Sequence, residues 1–371
     1  MTIKKRIVKW AARAYVSRNM FARWMGAAIW RVFLRHQQAA HCNEEGIRHS
    51  ARYLAEKGWQ GRLEADIRRC WLKNGFTPQE YVAFGFVDKR RKERNAYYSF
   101  MDLNRFTAVL NEKQGVSLLS DKYAAYLKFK KYYRRDVFFF NGDNENVPSA
   151  IKWAAARETL FVKSLSGFGG HGTRQICPGD YSSHELAALL AGTGPCVLEE
   201  PLSQDQSLSA FHPASINTVR LTTLLNAEDG SVRCWFAFLR TGRGNSAVDN
   251  ASSGGISAPI DLESGAIVGN GYDIDGNEFQ VHPDTEVAFK GAVVPRWKEI
   301  TETAGILARA LPTCRYVAWD FAVTPDGVAL VEGNAQGGLC MVQVFHGKGM
   351  KAEFEAILLD VARKSPRAEG K

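Results

Sequence analysis

Residues 315–334 read Arg315-Tyr-Val-Ala-Trp-Asp320-Phe-Ala-Val-Thr324-Pro-Asp-Gly327-Val-Ala-Leu-Val-Glu332-Gly-Asn334. Two apolar runs, 316–323 and 328–331, flank Thr324-Pro325-Asp326-Gly327. Proline at the second turn position and glycine at the fourth suit a type I turn closed by a glycine bulge. That three-residue loop pairs Thr324 with Val328 and so carries Asp320 opposite Glu332 on one face of a hairpin. Asn334 shares the face if the strand continues. Two carboxylates directly across a strand pair repel each other. A hard cation between them removes the conflict, and two carboxylates plus an amide oxygen are ligands that magnesium accepts. The plain alternative is a surface hairpin whose carboxylates point into water. The small neighbours Ala318 and Ala322 leave room on this face and favour the metal site.

The 371 residues suffice for two or three domains, and 45% hydrophobic with 23% charged residues is the balance of a soluble globular protein. None of the seven cysteines falls in a CxxC pair or near a histidine at zinc spacing, which argues against a thiolate metal site. An odd number of scattered thiols fits a reducing, cytoplasmic compartment better than a disulfide framework.

The formal charge of +9 is unevenly spread: residues 1–43 hold nine of the 48 Lys and Arg and no acid. The remaining bases balance the 39 acids. Ile7, Trp10, Ala11 and Ala14 follow helical spacing, with Lys5, Lys9 and Arg13 on the other side. Arg23 and Arg31 interrupt the apolar stretch 20–34, which argues against a membrane-spanning helix. A basic amphipathic segment of this kind suits peripheral contact with an anionic membrane. A helix packed on its own domain, with a solvated basic face, explains the same pattern. No recognition motif accompanies the charge, which argues against nucleic acid as a partner.

Residues 1–110 read as mostly helical, with Asn43 and Thr77 as capping candidates. Residues 122–133 have helical texture and 137–140 form a short strand candidate. From Leu160 onward the chain turns to short β-rich runs at 160–163, 173–176, 196–199, 217–225 and 232–239, with helices expected at 184–190 and 295–310. This pattern argues α+β (mixed α/β) rather than a doubly wound parallel sheet.

Four stretches carry candidate chemistry. Lys163 ends a strand and is followed by four glycines, Gly167, Gly169, Gly170 and Gly172, before another strand. Such a loop lets backbone N–H groups crowd an anion, and the lysine supplies a point charge. No GK[ST] follows, so this is not a Walker A loop but a strand–loop–strand flap. In 196–202 an apolar strand meets Glu199, Glu200 and Pro201, and proline ends the ladder there, leaving backbone groups free for a purine edge. Arg220 interrupts the apolar strand of Asn217-Thr-Val-Arg220, where its partner is a phosphate or an internal acid. The polar stretch from Arg240 through Asp249-Asn250 to Gly254-Gly255 is long enough to suggest function without singling out a residue.

Taken in order, these pieces resemble the ATP-grasp superfamily, and within it the sugar-transfer-associated branch, related to the alpha-L-glutamate ligases. The resemblance covers about residues 115–350 and opens at Ser120-Asp121-Lys122. It implies ATP and Mg2+ as cofactors and a two-lobe fold, with an N-terminal lobe at 115–200, a C-terminal lobe at 201–362, a helical basic region at 1–110 and a frayed tail at 363–371. By the same likeness Lys122 and Lys163 become the phosphate lysines, and the loop with Gly167, Gly169 and Gly170 a lid over the triphosphate. Glu199, Glu200 and Leu202 become the adenine-reading hinge, and Arg220 the arginine on the transferred phosphate. Asp320, Glu332 and Asn334 become the magnesium set. Residues 1–110 depart from the family's usual Rossmann-like first lobe, and the ribose has no clear partner beyond the candidates Asp205 and Gln206.

The activity implied is a ligase that activates a carboxylate as an acyl phosphate for attack by an amine, on a small or saccharide-linked substrate in polysaccharide or cell-envelope metabolism. Lys163 and Arg220 would carry the catalytic charge. The alternatives are a phosphotransferase on the same fold and a non-catalytic, nucleotide-binding assembly protein at the membrane.

Overall fold

The computed structural model describes residues 42–165 and 172–364, together with 14, 21, 22, 25, 26, 28 and 29. The expectations for most of the basic segment, for Gly167, Gly169 and Gly170, and for the end of the tail therefore lie outside the described residues. The chain divides into two compact units: residues 1–111 with 275–277 and 338–371, and residues 112–274 with 278–337. Residues 338–362, read from sequence as the end of the C-terminal lobe, thus group with the first unit.

The first unit is helical among its described residues. Asn43 caps helix Glu44–Glu56 by accepting the Gly46 N–H at 2.7 Å, and Thr77 with Glu80 closes a capping box on Pro78–Ala83. Its core is aromatic: Phe76, Tyr81, Phe84, Phe86 and Tyr97 are buried and meet largely edge to face.

The second unit holds two antiparallel sheets. Strands β1 (Val137–Phe140), β2 (Leu160–Ser164), β3 (Thr173–Ile176) and β4 (Cys196–Glu199) form the smaller, in the order β1-β4-β2-β3. Helices Val147–Ala155 and Ser183–Thr193 supply its core partners through Ala150, Ala154, Leu186 and Leu190. The larger sheet contains β5 (Thr218–Leu225), β6 (Val232–Thr241), β7 (Ile256–Pro259), β8 (Gly271–Tyr272), β9 (Glu278–Phe279), β10 (Tyr316–Thr324) and β11 (Gly327–Asn334). Its order is β11-β10-β5-β6-β7-β8-β9. Helix Trp297–Ala310 covers one face with Ile300, Ala304 and Leu307, against Val219, Leu221, Val317 and Trp319. The alternation of β10 places Trp319 and Phe321 in that core and Asp320 on the opposite face. The α+β expectation holds.

The closing hairpin reaches the expected Asp320–Glu332 pairing by another route. Thr324 pairs with Gly327, not Val328, so Pro325-Asp326 form a two-residue turn. The register then shifts between Asp320 and Phe321: Phe321 faces Leu330, Asp320 faces Glu332, and Val331 is the extra residue of a bulge. The irregularity assigned to the turn thus sits beside the carboxylates, in keeping with the tendency of bulges to re-aim side chains next to sites.

Candidate active site

A cleft in the second unit is lined from both sheets, by Lys163, Thr173, Glu199 and Glu200 on one side and Arg240, Asp320, Glu332 and Asn334 on the other. Lys122 also lines it, from the first turn of helix Lys122–Tyr133, whose N-terminus Asp121 caps by accepting two backbone N–H groups. The Lys122 ammonium donates to the Ser164 carbonyl at 3.0 Å. Burial, partly offset by the charge of Glu332, lowers its pKa from the usual lysine value.

At the small-sheet end, Glu199 is buried and accepts from Lys163 Nζ at 2.8 Å and Arg135 Nε at 2.9 Å. Burial pushes the Glu199 carboxyl up, but the charges of Arg135 and Lys163 overcome it and hold the group at about 2. Arg135 also donates to the Leu330 and Tyr133 carbonyls at 2.8 and 3.1 Å, tying the small sheet's acid to β11. Past β4 the ladder stops, as Pro201 requires. The Glu200 N–H still donates to the Asp136 carbonyl at 3.2 Å, and the Glu200 carboxylate takes Arg157 at 2.8 Å. Among the described residues, the Glu200 carbonyl and the Leu202 N–H have no backbone hydrogen bond, and both residues line the cleft.

At the large-sheet end, Arg220 lies directly opposite Asp320 in the β5–β10 register and grips it with a fork, Nε to Oδ1 and Nη2 to Oδ2, both at 2.6 Å. The internal acid, one of the two partners weighed for Arg220, is thus present. Arg240 of β6 adds a second guanidinium to Asp320 Oδ2 at 2.7 Å. Burial would raise the Asp320 carboxyl, but Arg220 and then Arg240 hold it at about 2. Glu332 behaves oppositely: burial and then the Asp320 charge push its pKa up. Among the described residues no cation lies within ion-pair distance of Glu332, and Asn334 Nδ2 donates to it at 3.1 Å and to Asp320 at 3.3 Å.

The donor set suits a hard divalent cation, since it comprises two carboxylates and a carboxamide that can present its oxygen after a half-turn. Glu332, a half-buried carboxylate with no cation within ion-pair distance among the described residues, is the oxygen donor such an ion would relieve. Among the described residues no group of three His, Cys, Asp or Glu side chains at metal-binding separations exists, so Asn334 is needed to complete the set.

Arg240, Arg135 and Thr218 were not singled out by sequence. Asp249, noticed only as part of a polar stretch, accepts from the Thr218 N–H at 3.0 Å, from the Thr218 hydroxyl and from Arg240 at 2.8 Å. The available signal was an arginine ending an apolar strand just before a polar loop. Asp205 instead caps a short helix through Ser207, and neither it nor Gln206 lines the cleft.

Residues 158–358, more than half of the chain, match the sugar-transfer associated ATP-grasp family. The chain belongs to that family. Solved structures are similar to the chain at low identity. The D-alanyl-alanine synthetase A of Vibrio cholerae is 11% identical, with a TM-score of 0.43 over 67% of this chain and 66% of that one. The D-alanine-D-alanine ligase of Helicobacter pylori is 16% identical, with a TM-score of 0.41 over 67% and 62%. The ATP-grasp ligase PsnB, complexed with a minimal precursor, is 13% identical, with a TM-score of 0.42 over 75% and 76%. The chain spans just under two thirds of the Vibrio synthetase and 52% of an N5-carboxyaminoimidazole ribonucleotide synthetase that it also matches. No curated protein matches the chain. Among the described residues no helix is long and apolar enough to cross a membrane.

Proposed function

We propose that this ATP-grasp chain is an ATP- and Mg-dependent, ADP-forming ligase that joins a carboxylate to an amine. The observation that carries the reading is one cleft lined by two lysines and by the oxygen set of Asp320, Glu332 and Asn334. Mg·ATP supplies a γ-phosphoryl group that turns a carboxylate, a poor electrophile, into an acyl phosphate. Asp320, Glu332 and Asn334 would hold the metal. Lys122 and Lys163 would hold the phosphates, with Lys163 exchanging its Glu199 partner for them. Arg220 orients Asp320 and adds fixed positive charge near the transferred group. The Glu200 carbonyl and Leu202 N–H, without a backbone hydrogen bond among the described residues, form an acceptor–donor pair suited to the adenine edge. Gly167, Gly169 and Gly170 would cover the phosphates and exclude water. In this reading the N-terminal lobe spans 115–200, the C-terminal lobe begins at 201, and 1–110 stands apart as the helical basic region.

The family's association with sugar transfer supports a saccharide-linked carboxylate in envelope or polysaccharide metabolism, and the charge of residues 1–43 supports contact with an anionic membrane from the cytoplasmic side. ADP release screened against carboxylates and amines, with the product mass measured, tests the reaction. A mass gain of one phosphate without condensation would replace the ligase by a phosphotransferase. Deleting residues 1–43 is expected to release the chain from anionic liposomes, and unchanged binding would remove the membrane from the proposal.

A further inference from the structure

Asp320 is crowded on one oxygen. Its Oδ2 accepts from Arg220 Nη2 at 2.6 Å, Arg240 Nη1 at 2.7 Å and Asn334 Nδ2 at 3.3 Å. A carboxylate oxygen has two lone pairs, so Oδ2 has none to offer an incoming cation, and Oδ1, held by Arg220 Nε, has one. The two arginines are not equivalent. Arg220 comes from the adjacent strand and holds both oxygens. Arg240 comes from β6, one strand further away, gives Asp320 a single nitrogen, and lines the cleft. Its Nη2 is shared between Asp249 Oδ1 at 2.8 Å and Asn250 Oδ1. Asp249 is in turn fixed by the Thr218 N–H at 3.0 Å and by the Thr218 hydroxyl. Arg240 therefore has one fixed anchor and one contact that blocks a metal ligand.

We propose that Arg240 is a positioning residue that keeps Asp320 Oδ2 closed to divalent cations until polyphosphate in the cleft draws its Nη1 away, Nη2 remaining on Asp249. The inference rests on the metal reading of Asp320 given above and goes beyond it by ordering the binding: nucleotide opens the carboxylate, and the cation follows. Cation and guanidinium are like charges competing for one oxygen, and their mutual repulsion in a partly desolvated cleft is large.

The test uses the full chain and Mn2+ as the probe, with the free-ion signal followed by electron paramagnetic resonance and folding checked by thermal melting. Without nucleotide, Arg240→Gln is expected to bind Mn2+ at least about tenfold more tightly than the natural chain. Addition of ADP should tighten Mn2+ binding much more in the natural chain than in the variant. Arg240→Met, close in volume, carries the same expectation should the glutamine variant fail to fold. Arg157→Gln, which removes a guanidinium that pairs with Glu200 and Asp136 instead, should leave Mn2+ affinity unchanged. A merely structural role for Arg240 cannot tighten metal binding. Equal Mn2+ affinity in the natural chain and the folded Arg240 variants would overturn the gating by Arg240 while leaving the metal site standing. Failure of every form to bind Mn2+, with or without ADP, would overturn the metal reading and this inference together.

Discussion

Glu199 of the small sheet and Asp320 of the large one are the same device built twice. Each is a buried carboxylate held at about 2 by two cations, Arg135 with Lys163 in one case and Arg220 with Arg240 in the other. Glu332, beside Asp320, is half-buried, has no cation within ion-pair distance among the described residues, and its pKa is raised. A matched acid is a charge pin that organises cations, whereas an unmatched acid needs a cation from outside. Each acid also carries one cation tied closely into the fold. Arg135 is bonded to backbone carbonyls, though it too lines the cleft with Lys163 and Arg240, and Arg220 lies directly opposite its acid.

The comparison breaks most visibly at Asp320 and Glu332. Asp320→Asn leaves Arg220 without its counter-charge and Arg240 with Asp249 alone, and should cost about 3–5 kcal/mol of stability by urea denaturation, together with ATP turnover. Glu332→Gln should reduce ADP release at least about 100-fold, yet leave the metal-free chain as stable at neutral pH, or more so. If the two variants lose stability equally, Glu332 is not the unmatched member of the pair.

The two ends can then be set against each other. Arg135→Met should destabilise the chain by about 3 kcal/mol, because Glu199 keeps only Lys163 and three backbone carbonyls lose the Arg135 donor. Lys163→Met should cost about 1–2 kcal/mol, since Arg135 remains, but should lower ADP release about 100-fold. Loss of activity confined to the Arg135 variant would reverse these roles.

The pH dependence separates matched from unmatched acids by sign. Asp320 and Glu199, with lowered pKa values, contribute stability that is complete above the ordinary carboxylate range and is lost as pH falls through about 2. Glu332, with a raised pKa, binds its proton more tightly in the folded metal-free chain, so its contribution declines as pH rises above that range. Glu332→Gln should flatten this decline in a series of urea midpoints. The smallest effect is expected at Asn334, where alanine removes one neutral donor and should cost about 1 kcal/mol.

Local pattern made much of this legible in the sequence. Alternation, Thr-Pro-Asp-Gly and chain proximity made the 316–334 hairpin readable, and the Asp320–Glu332 pairing with it. The bulge at Val331 was not readable, because a one-residue shift can be taken up at the turn or within the strand. Helix Lys122–Tyr133 and strands β1 to β6 follow from similarly local signals. The small strands β7 to β9 lie in a glycine-rich stretch whose pairing has no short-range cause.

The sequence by itself determined which charged residues interrupt apolar strands and in what order the glycine loop, hinge, arginine and acid pair occur. Only the tertiary structure decided which acid each base meets. Arg240 and Asp320 are 80 residues apart, and Arg135 and Glu199 are 64 apart. They meet because β5 lies between β10 and β6, and because β4 pairs with β1, the strand that follows Arg135. Strand order is set by burial of whole faces against helix Trp297–Ala310 and its neighbours, a property of the assembled sheet that no local window contains.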